Sequence, residues 1–349
     1  MTSAATTQYA AGNRFENAVL TSAFPLIEIL MDIKKTAVIG SGIIGISWAI
    51  VYARAGFDVA LFDSVKEVRD GALEKIRIAL KQSALLVGDE VKQQEALARI
   101  SIHDTLAVAV SDADFVHECI LETLDSKKEI FQQLDILAPA SAILATATSN
   151  FPVSTFASDL PGKHRCIVAH PGTPPHLLPV IEICPAPFTD QTVTDASFSF
   201  MEACGQIPVL IRIEHPSFVL NRMQGVMLVE MFRCINDGII SPEDIDKVIS
   251  QGLGLRWAFL GPFEGVDMNS AGGIREYFER FGSMFNGFAA DLGQTEPVVT
   301  PSAIASLEAY ARNMLPLEQI GHRTNWRDSA ICALRELKAH NRYVPMSTP

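Results

Sequence analysis

Positive charge, cysteine and long apolar runs are all scarce in this chain. Lysine and arginine number 28 against 40 aspartates and glutamates, so the formal net charge is −12. Phosphate attraction is therefore weak, and neither nucleic acid nor an anionic membrane is an expected partner. The six cysteines, Cys119, Cys166, Cys184, Cys204, Cys234 and Cys332, never form a Cys-x-x-Cys pair. Such scattered thiols argue against a disulfide framework and offer no metal motif. They fit a reduced, cytoplasmic setting in which each acts as a small apolar side chain. No segment reaches the roughly 18 consecutive apolar residues that span a bilayer. Residues 18–30 are apolar in patches, but they contain Pro25 and Glu28 and only Arg14 precedes them as a basic residue. They do not read as a secretion signal. Residues 1–30 are expected to be an N-terminal extension, with Met31 the natural start of the fold.

What is present describes a globular protein: 48% of residues are hydrophobic and 19% charged. A chain of 349 residues is too long for one ordinary core and suits two domains. From Thr36 short apolar strands alternate with helical patterns. TAVIG at Thr36–Gly40 is a strand, Ile43–Ala55 a helix stopped by Gly56, and DVALFD at Asp58–Asp63 the next strand. Val65–Ala98 reads as two charged amphipathic helices broken near Val87–Asp89. Further strands are expected at Phe115–Cys119, Ala142–Ala145, Arg165–His170, Val180–Ile183 and Pro208–Ile213. Alternation of this kind implies a mainly parallel sheet covered on both faces, a Rossmann-type α/β fold. After His215-Pro216 only helical patterns follow. One opens at Ser241-Pro242-Glu243-Asp244, with a serine cap, proline in the first position and acids in the first turn. The expected organisation is residues 31–215 as a dinucleotide-binding domain and 216–349 as an all-helical domain.

The turn Gly40-Ser41-Gly42-Ile43-Ile44-Gly45 matches G-x-G-x-x-G. It follows a strand, opens a helix and leads to a second strand ending in Asp63, the context that gives the motif its meaning. Gly40 permits the tight turn, Gly42 lets the backbone approach a pyrophosphate, and Gly45 lets helix and strand pack closely. Free N–H groups at the helix start face the phosphates. Asp63 can accept both adenosine ribose hydroxyls and would repel a 2′-phosphate, so the expected cofactor is NAD.

A second constellation is Ser149-Asn150-Phe151 together with His170-Pro171-Gly172-Thr173-Pro174-Pro175 and Val180-Ile181-Glu182. Oxidation of an alcohol by NAD needs a base for the hydroxyl proton, and histidine titrates near neutrality. Two strands joined by a turn can set His170 beside Glu182. From spacing alone, a structural histidine at a strand end stays open as the alternative.

These pieces resemble a known family. VIGSGIIG, the segment Glu118–Phe131, AHPGTPP with VIE downstream, FVLNR at Phe218–Arg222 and GLGLRWAFLGP at Gly252–Pro262 are similar to the L-3-hydroxyacyl-CoA dehydrogenase superfamily. They are most similar to its lambda-crystallin branch, which includes L-gulonate 3-dehydrogenase. The resemblance runs from about Thr36 to about Leu337. It implies that His170 is the general base and Glu182 its carboxylate partner, and that Ser149 and Asn221 hold the substrate's reacting oxygen. It further implies that Glu122 and Lys127 contact the nicotinamide half of NAD, and that the protein is a homodimer built through the helical domain. Thr173 departs from the pattern, because the family usually carries asparagine there.

Two residues keep a second reading. Asn221 could satisfy a helix start. Arg256, beside Trp257, could clamp a substrate carboxylate bidentately or could be a surface arginine. Related dehydrogenases with a catalytic lysine on the equivalent helix are disfavoured, because FVLNRMQG contains none. A CoA thioester would call for a basic cluster, and basic residues in Val65–Ala98 are nearly matched by acids. The expected activity is therefore NAD-dependent oxidation of the 3-hydroxyl of a small free acid such as L-gulonate, 3-hydroxybutyrate or a carnitine-like compound. The alternatives are a 3-hydroxyacyl-CoA substrate and a crystallin-like structural protein without activity. No metal is expected.

Overall fold

The computed structural model describes residues 33–293 and 300–340. The extension expected over residues 1–30 lies outside them. The chain divides into two compact units, Met1–Val226 and Met227–Pro349.

The first unit is built on one sheet of eight strands, in the order β3-β2-β1-β4-β5-β6-β7-β8. The strands are β1 Lys35–Ile39, β2 Asp58–Phe62, β3 Ile100–Ile102, β4 Phe115–Glu118, β5 Ile143–Thr146, β6 Cys166–Pro171, β7 Val180–Pro185 and β8 Ile207–Leu210. All neighbours are parallel except β6 and β7. The order reverses between β1 and β4. In open sheets of this kind that reversal leaves a crevice beyond the carboxyl ends of the strands.

Side-chain alternation puts apolar residues on both faces. Along β1, Val38 enters the cluster under helix Ile43–Arg54, while Ala37 and Ile39 enter the cluster under helix Leu124–Leu137. Along β6, Ile167 and Ala169 face the first cluster, and Cys166 and Val168 the second. The same period of two sends Glu118, Thr146, His170 and Glu182 to the second face, at the strand ends bordering the crevice. Burial pushes the Cys166 and Cys184 thiols up to about 12, as expected of packing residues rather than nucleophiles.

The expected break in Val65–Ala98 falls at Gly88, whose φ is +109°. The first arm is more divided than its periodicity indicates. It forms Lys66–Asp70, Ala72–Gln82 and Ala84–Val87, interrupted at Gly71 and Ser83, before Asp89 caps Glu90–Ala98 by accepting the Lys92 amide at 3.1 Å.

The described part of the second unit contains helices and no strand. Ser241 caps the expected helix at Pro242–Lys247, its Oγ accepting the Asp244 amide at 3.1 Å. Buried Asp267 accepts the Ile274 amide at 2.8 Å and pairs with Arg312. The long helix Leu220–Asn236 begins within the first unit. Its opening residues are fastened to Glu182 of the sheet and to the loop after β5.

Candidate active site

The glycine loop leaves β1 at Gly40, in a left-handed conformation with φ +105°. A Cβ at Gly40 would lie 2.6 Å from the Cys119 carbonyl oxygen, and one at Gly45 only 1.8 Å from the Gly40 carbonyl oxygen. A Cβ at Gly42 would meet nothing within 4 Å. Gly40 and Gly45 are thus required by the protein's own packing, whereas Gly42 borders open space that a ligand's phosphates can enter. Helix Ile43–Arg54 starts here without a side-chain cap, so the amides of its first turn, Ile43 and Ile44 included, remain for an anion. Asp63, just beyond β2, accepts the Ser41 amide at 2.7 Å and the Ser41 hydroxyl at 3.1 Å through one oxygen, and the Val65 amide at 2.9 Å through the other. These residues fit a dinucleotide: an open cradle at a helix start, with a carboxylate at the end of the neighbouring strand.

On β6 and β7, His170 and Glu182 are direct cross-strand partners. His170 Nδ1 lies 2.7 Å from Glu182 Oε2, and both residues are buried. The other Glu182 oxygen accepts the amides of Val219 and Leu220, each at 2.9 Å, at the start of helix Leu220–Asn236. Burial alone would raise the Glu182 carboxyl. The hydrogen bonds from His170 and the two amides outweigh that and hold it below the ordinary carboxylate value. Nδ1 is therefore tied to the carboxylate, and Nε2 is the ring nitrogen left for other work. Phe218, wholly buried, lies 5.3 Å from the His170 ring between centroids. It and Ser217 are the two non-glycine residues with positive φ among those described, at 49° and 65°. Such conformations cost about 1–3 kcal/mol each and persist where the surroundings impose them. Here the double amide contact to Glu182 and the ring contact to His170 do so.

The same turn holds the loop after β5. Ser217 donates its amide to the Asn150 carbonyl at 3.2 Å and its hydroxyl to Asn150 Oδ1 at 2.7 Å. Asn221 Nδ2 donates to the Ser149 carbonyl at 3.1 Å. Asn221 thus joins two segments of the site rather than capping its own helix. Ser149 is exposed at the tip of that loop.

Behind the loop lies a buried charge network. Lys127, only 1% exposed, donates to both oxygens of fully buried Glu118 at 2.8 and 2.9 Å, and pairs with Glu122 Oε2 at 3.4 Å. Glu118 also accepts the Ile120 amide at 2.6 Å and the Thr146 hydroxyl at 2.7 Å. Glu122 accepts the Thr148 hydroxyl and the amides of Ser149 and Asn150, at 3.0 and 3.2 Å. Glu118 and Phe218 lie in segments that carry the resemblance, but their contacts, like those of Thr146 and Thr148, escape a sequence reading because they join distant parts of the chain. The one available cue is acid–acid–lysine at Glu118, Glu122 and Lys127 around a strand end.

Thr173 is exposed in the loop between β6 and β7, and its peptide bond to Pro174 is cis. Arg256 and Trp257 are exposed on helix Gly254–Trp257 of the second unit. Among the described residues, no cluster of three or more His, Cys, Asp or Glu could hold a metal ion, and no helix is long and apolar enough to cross a membrane.

Sheet order, glycine loop and carboxylate together define a dinucleotide-binding fold of the Rossmann class, and comparison with known proteins narrows it. Residues 35–214 match the NAD binding domain of 3-hydroxyacyl-CoA dehydrogenase, and residues 218–295 match its C-terminal domain. The chain belongs to the 3-hydroxyacyl-CoA dehydrogenase family. Lambda-crystallin of Oryctolagus cuniculus is 35% identical over 306 residues, covering 86% of this chain and 95% of that protein. L-carnitine dehydrogenase of Streptomyces griseus is 30% identical over 258 residues, 72% of this chain and 74% of that protein. The crystal structure of a 3-hydroxyacyl-CoA dehydrogenase from Archaeoglobus fulgidus superposes with a TM-score of 0.59 at 25% identity, covering 82% of this chain and 99% of that one.

Proposed function

We propose that this protein oxidises the 3-hydroxyl of a small free 3-hydroxy acid to the 3-keto acid, with His170 as general base. The carrying observation is the buried His170–Glu182 pair, in which Nδ1 is spent on the carboxylate and Nε2 is left for a substrate proton. NAD, when bound, supplies the hydride acceptor. Gly40, Ser41, Gly42, Ile43, Ile44 and Gly45 would take its pyrophosphate and Asp63 its ribose. His170 removes the hydroxyl proton at Nε2. Glu182 keeps the tautomer and stabilises the positive charge that develops on the ring. The Ser149 hydroxyl and the Asn221 side chain orient the substrate oxygen. Glu122 holds the Ser149 loop from behind, and Lys127 neutralises Glu118 and Glu122.

Two observations favour a free acid over a CoA ester. Four of the seven basic residues in the segment 65–99 are ion-paired: Lys66 with Asp70, Arg77 with Glu74, Arg69 with Asp104 and Arg99 with Asp58. One relative of 30% identity is named for carnitine, itself a free acid. The direct test is NADH formation with L-gulonate, L-3-hydroxybutyrate, L-carnitine and L-3-hydroxybutyryl-CoA side by side. Turnover of one of the free acids, with the CoA ester inactive, is expected. Preference for the ester would replace this reading with that of a fatty-acyl enzyme, and silence on all four would favour the crystallin-like alternative.

Asp63→Ala should raise the KM for NAD roughly tenfold or more, the scale of a lost charge-assisted hydrogen bond. It should also narrow the discrimination against NADP. A variant that kept the wild-type NAD/NADP ratio would remove Asp63 from cofactor selection.

A further inference from the structure

On the sheet face opposite the active site, β4 carries a second buried histidine that the proposed chemistry does not use. His117 is wholly buried among aromatic rings. Trp48 lies 4.5 Å away and Phe115 5.9 Å away between centroids. Its Nδ1 is 2.6 Å from the Tyr52 hydroxyl, and its Nε2 is 3.2 Å from the Ala169 carbonyl oxygen. Burial, only partly opposed by the Ala169 hydrogen bond, pushes the ring down to about 3, so the imidazole is neutral. Burial also raises the Tyr52 phenol, which stays protonated. One proton arrangement satisfies both groups: Tyr52 donates to Nδ1, and Nε2–H donates to Ala169.

The contact spans a whole strand. His117 is on β4 and Ala169 on β6, with β5 between them. The β5 residue in register with His117 is Ala145, whose methyl group is small enough for the imidazole to lean across. The far end of that contact is significant. Pairing of β5 with β6 ends at Thr146 and Val168, because β5 then turns away toward Ser149. Ala169, His170 and Pro171 continue only along β7. The His117 hydrogen bond therefore supplies hold on this side at the residue immediately before His170.

We infer that His117, locked by Tyr52, is a positioning residue for the reaction: it fixes the main chain at Ala169 and, through it, the place from which His170 meets the substrate. The inference rests on the reading of His170 as base. Displacements of about 1 Å at a reacting group can cost two orders of magnitude in rate, so loss of this contact acts on kcat.

The test compares His117→Phe, His117→Gln and Tyr52→Phe in the full-length protein, using whichever of L-gulonate, L-3-hydroxybutyrate and L-carnitine is turned over best. Readouts are kcat, KM, NADH affinity and the low-field proton resonance of the His170–Glu182 hydrogen bond. His117→Phe should lower kcat at least tenfold, leave NADH affinity within twofold and shift the resonance. Glutamine can donate to Ala169 and accept from Tyr52, so His117→Gln should restore most of kcat and return the resonance. Tyr52→Phe removes a single hydroxyl and should fall between the two, which keeps the test decisive if His117→Phe fails to fold. Wild-type kcat and an unmoved resonance in folded His117→Phe or in Tyr52→Phe would overturn the proposal. So would His117→Gln proving no better than His117→Phe, or a parallel loss of NADH affinity. His170→Ala, assayed alongside, separates the two ideas. Retained turnover there would remove the base assignment itself, whereas an inactive His170→Ala with indifferent His117 variants would remove only the positioning role.

Discussion

His170→Ala is expected to lower kcat by about two to four orders of magnitude, the range attributable to a general base, with NADH binding nearly unchanged. The proposed dinucleotide cradle is built from β1, its glycine loop and the end of β2, whereas His170 is on β6, separated from β1 by β4 and β5. Removing the imidazole leaves Glu182 with its Val219 and Leu220 amides, so the carboxylate is not stranded and the start of the long helix keeps its anchor. The loss should therefore appear in kcat and not in folding. Glu182→Gln makes a useful contrast. It keeps the volume but loses the charge that favours a positive imidazole, and its deficit should be smaller than that of His170→Ala. Steady-state kinetics with fluorescence titration of NADH would decide. If His170→Ala turned over within about threefold of the wild type, another group would have to be the base.

Lys127→Met should destabilise the first unit by about 3–5 kcal/mol, the usual effect of breaking a buried ion pair by removing one partner. In a unit of this size that is roughly 10 °C in Tm. The reason is the Glu118 carboxylate, which is wholly buried and takes two of its hydrogen bonds from the lysine. Methionine fills the volume but leaves that charge without its counter-ion. The damage should also reach the substrate side. Lys127 pairs with Glu122, and Glu122 holds Thr148, Ser149 and Asn150. Glu118→Gln with Lys127→Met should recover part of the loss, because the double variant no longer buries an unpaired charge. Thermal unfolding of the single and double variants would measure this. If Lys127→Met melted within about 2 °C of the wild type, the pair would not contribute as its burial implies.

Much of this protein is legible in its residues alone. The glycine turn, its strand and the acid at Asp63 are encoded within one short stretch, because each glycine answers a local requirement of backbone space. Alternation of apolar residues places the strands to within a few residues. For His170 and Glu182 the spacing only permits a pairing, the family resemblance implies it, and the register of β6 on β7 sets the two side by side. The serine cap at Ser241 and the absence of strands after it among the described residues are equally local in origin.

Other features arise only where the chain folds back on itself. Glu182 and Ser149 fasten the opening of the helix after Pro216 to the sheet unit. Lys127 pairs with Glu118 because a strand end meets a helix start, a contact that no helical or strand period encodes. Phe218 is left-handed beside His170 without any glycine to announce it. His117 reaches β6 because Ala145, distant in sequence, is small. Backbone conformation and apolar periodicity are properties of neighbouring residues, and from them come the strands and the glycine loop. Which buried polar groups satisfy one another is a property of the folded chain, because it depends on which distant segments share the same dry space and must pair there.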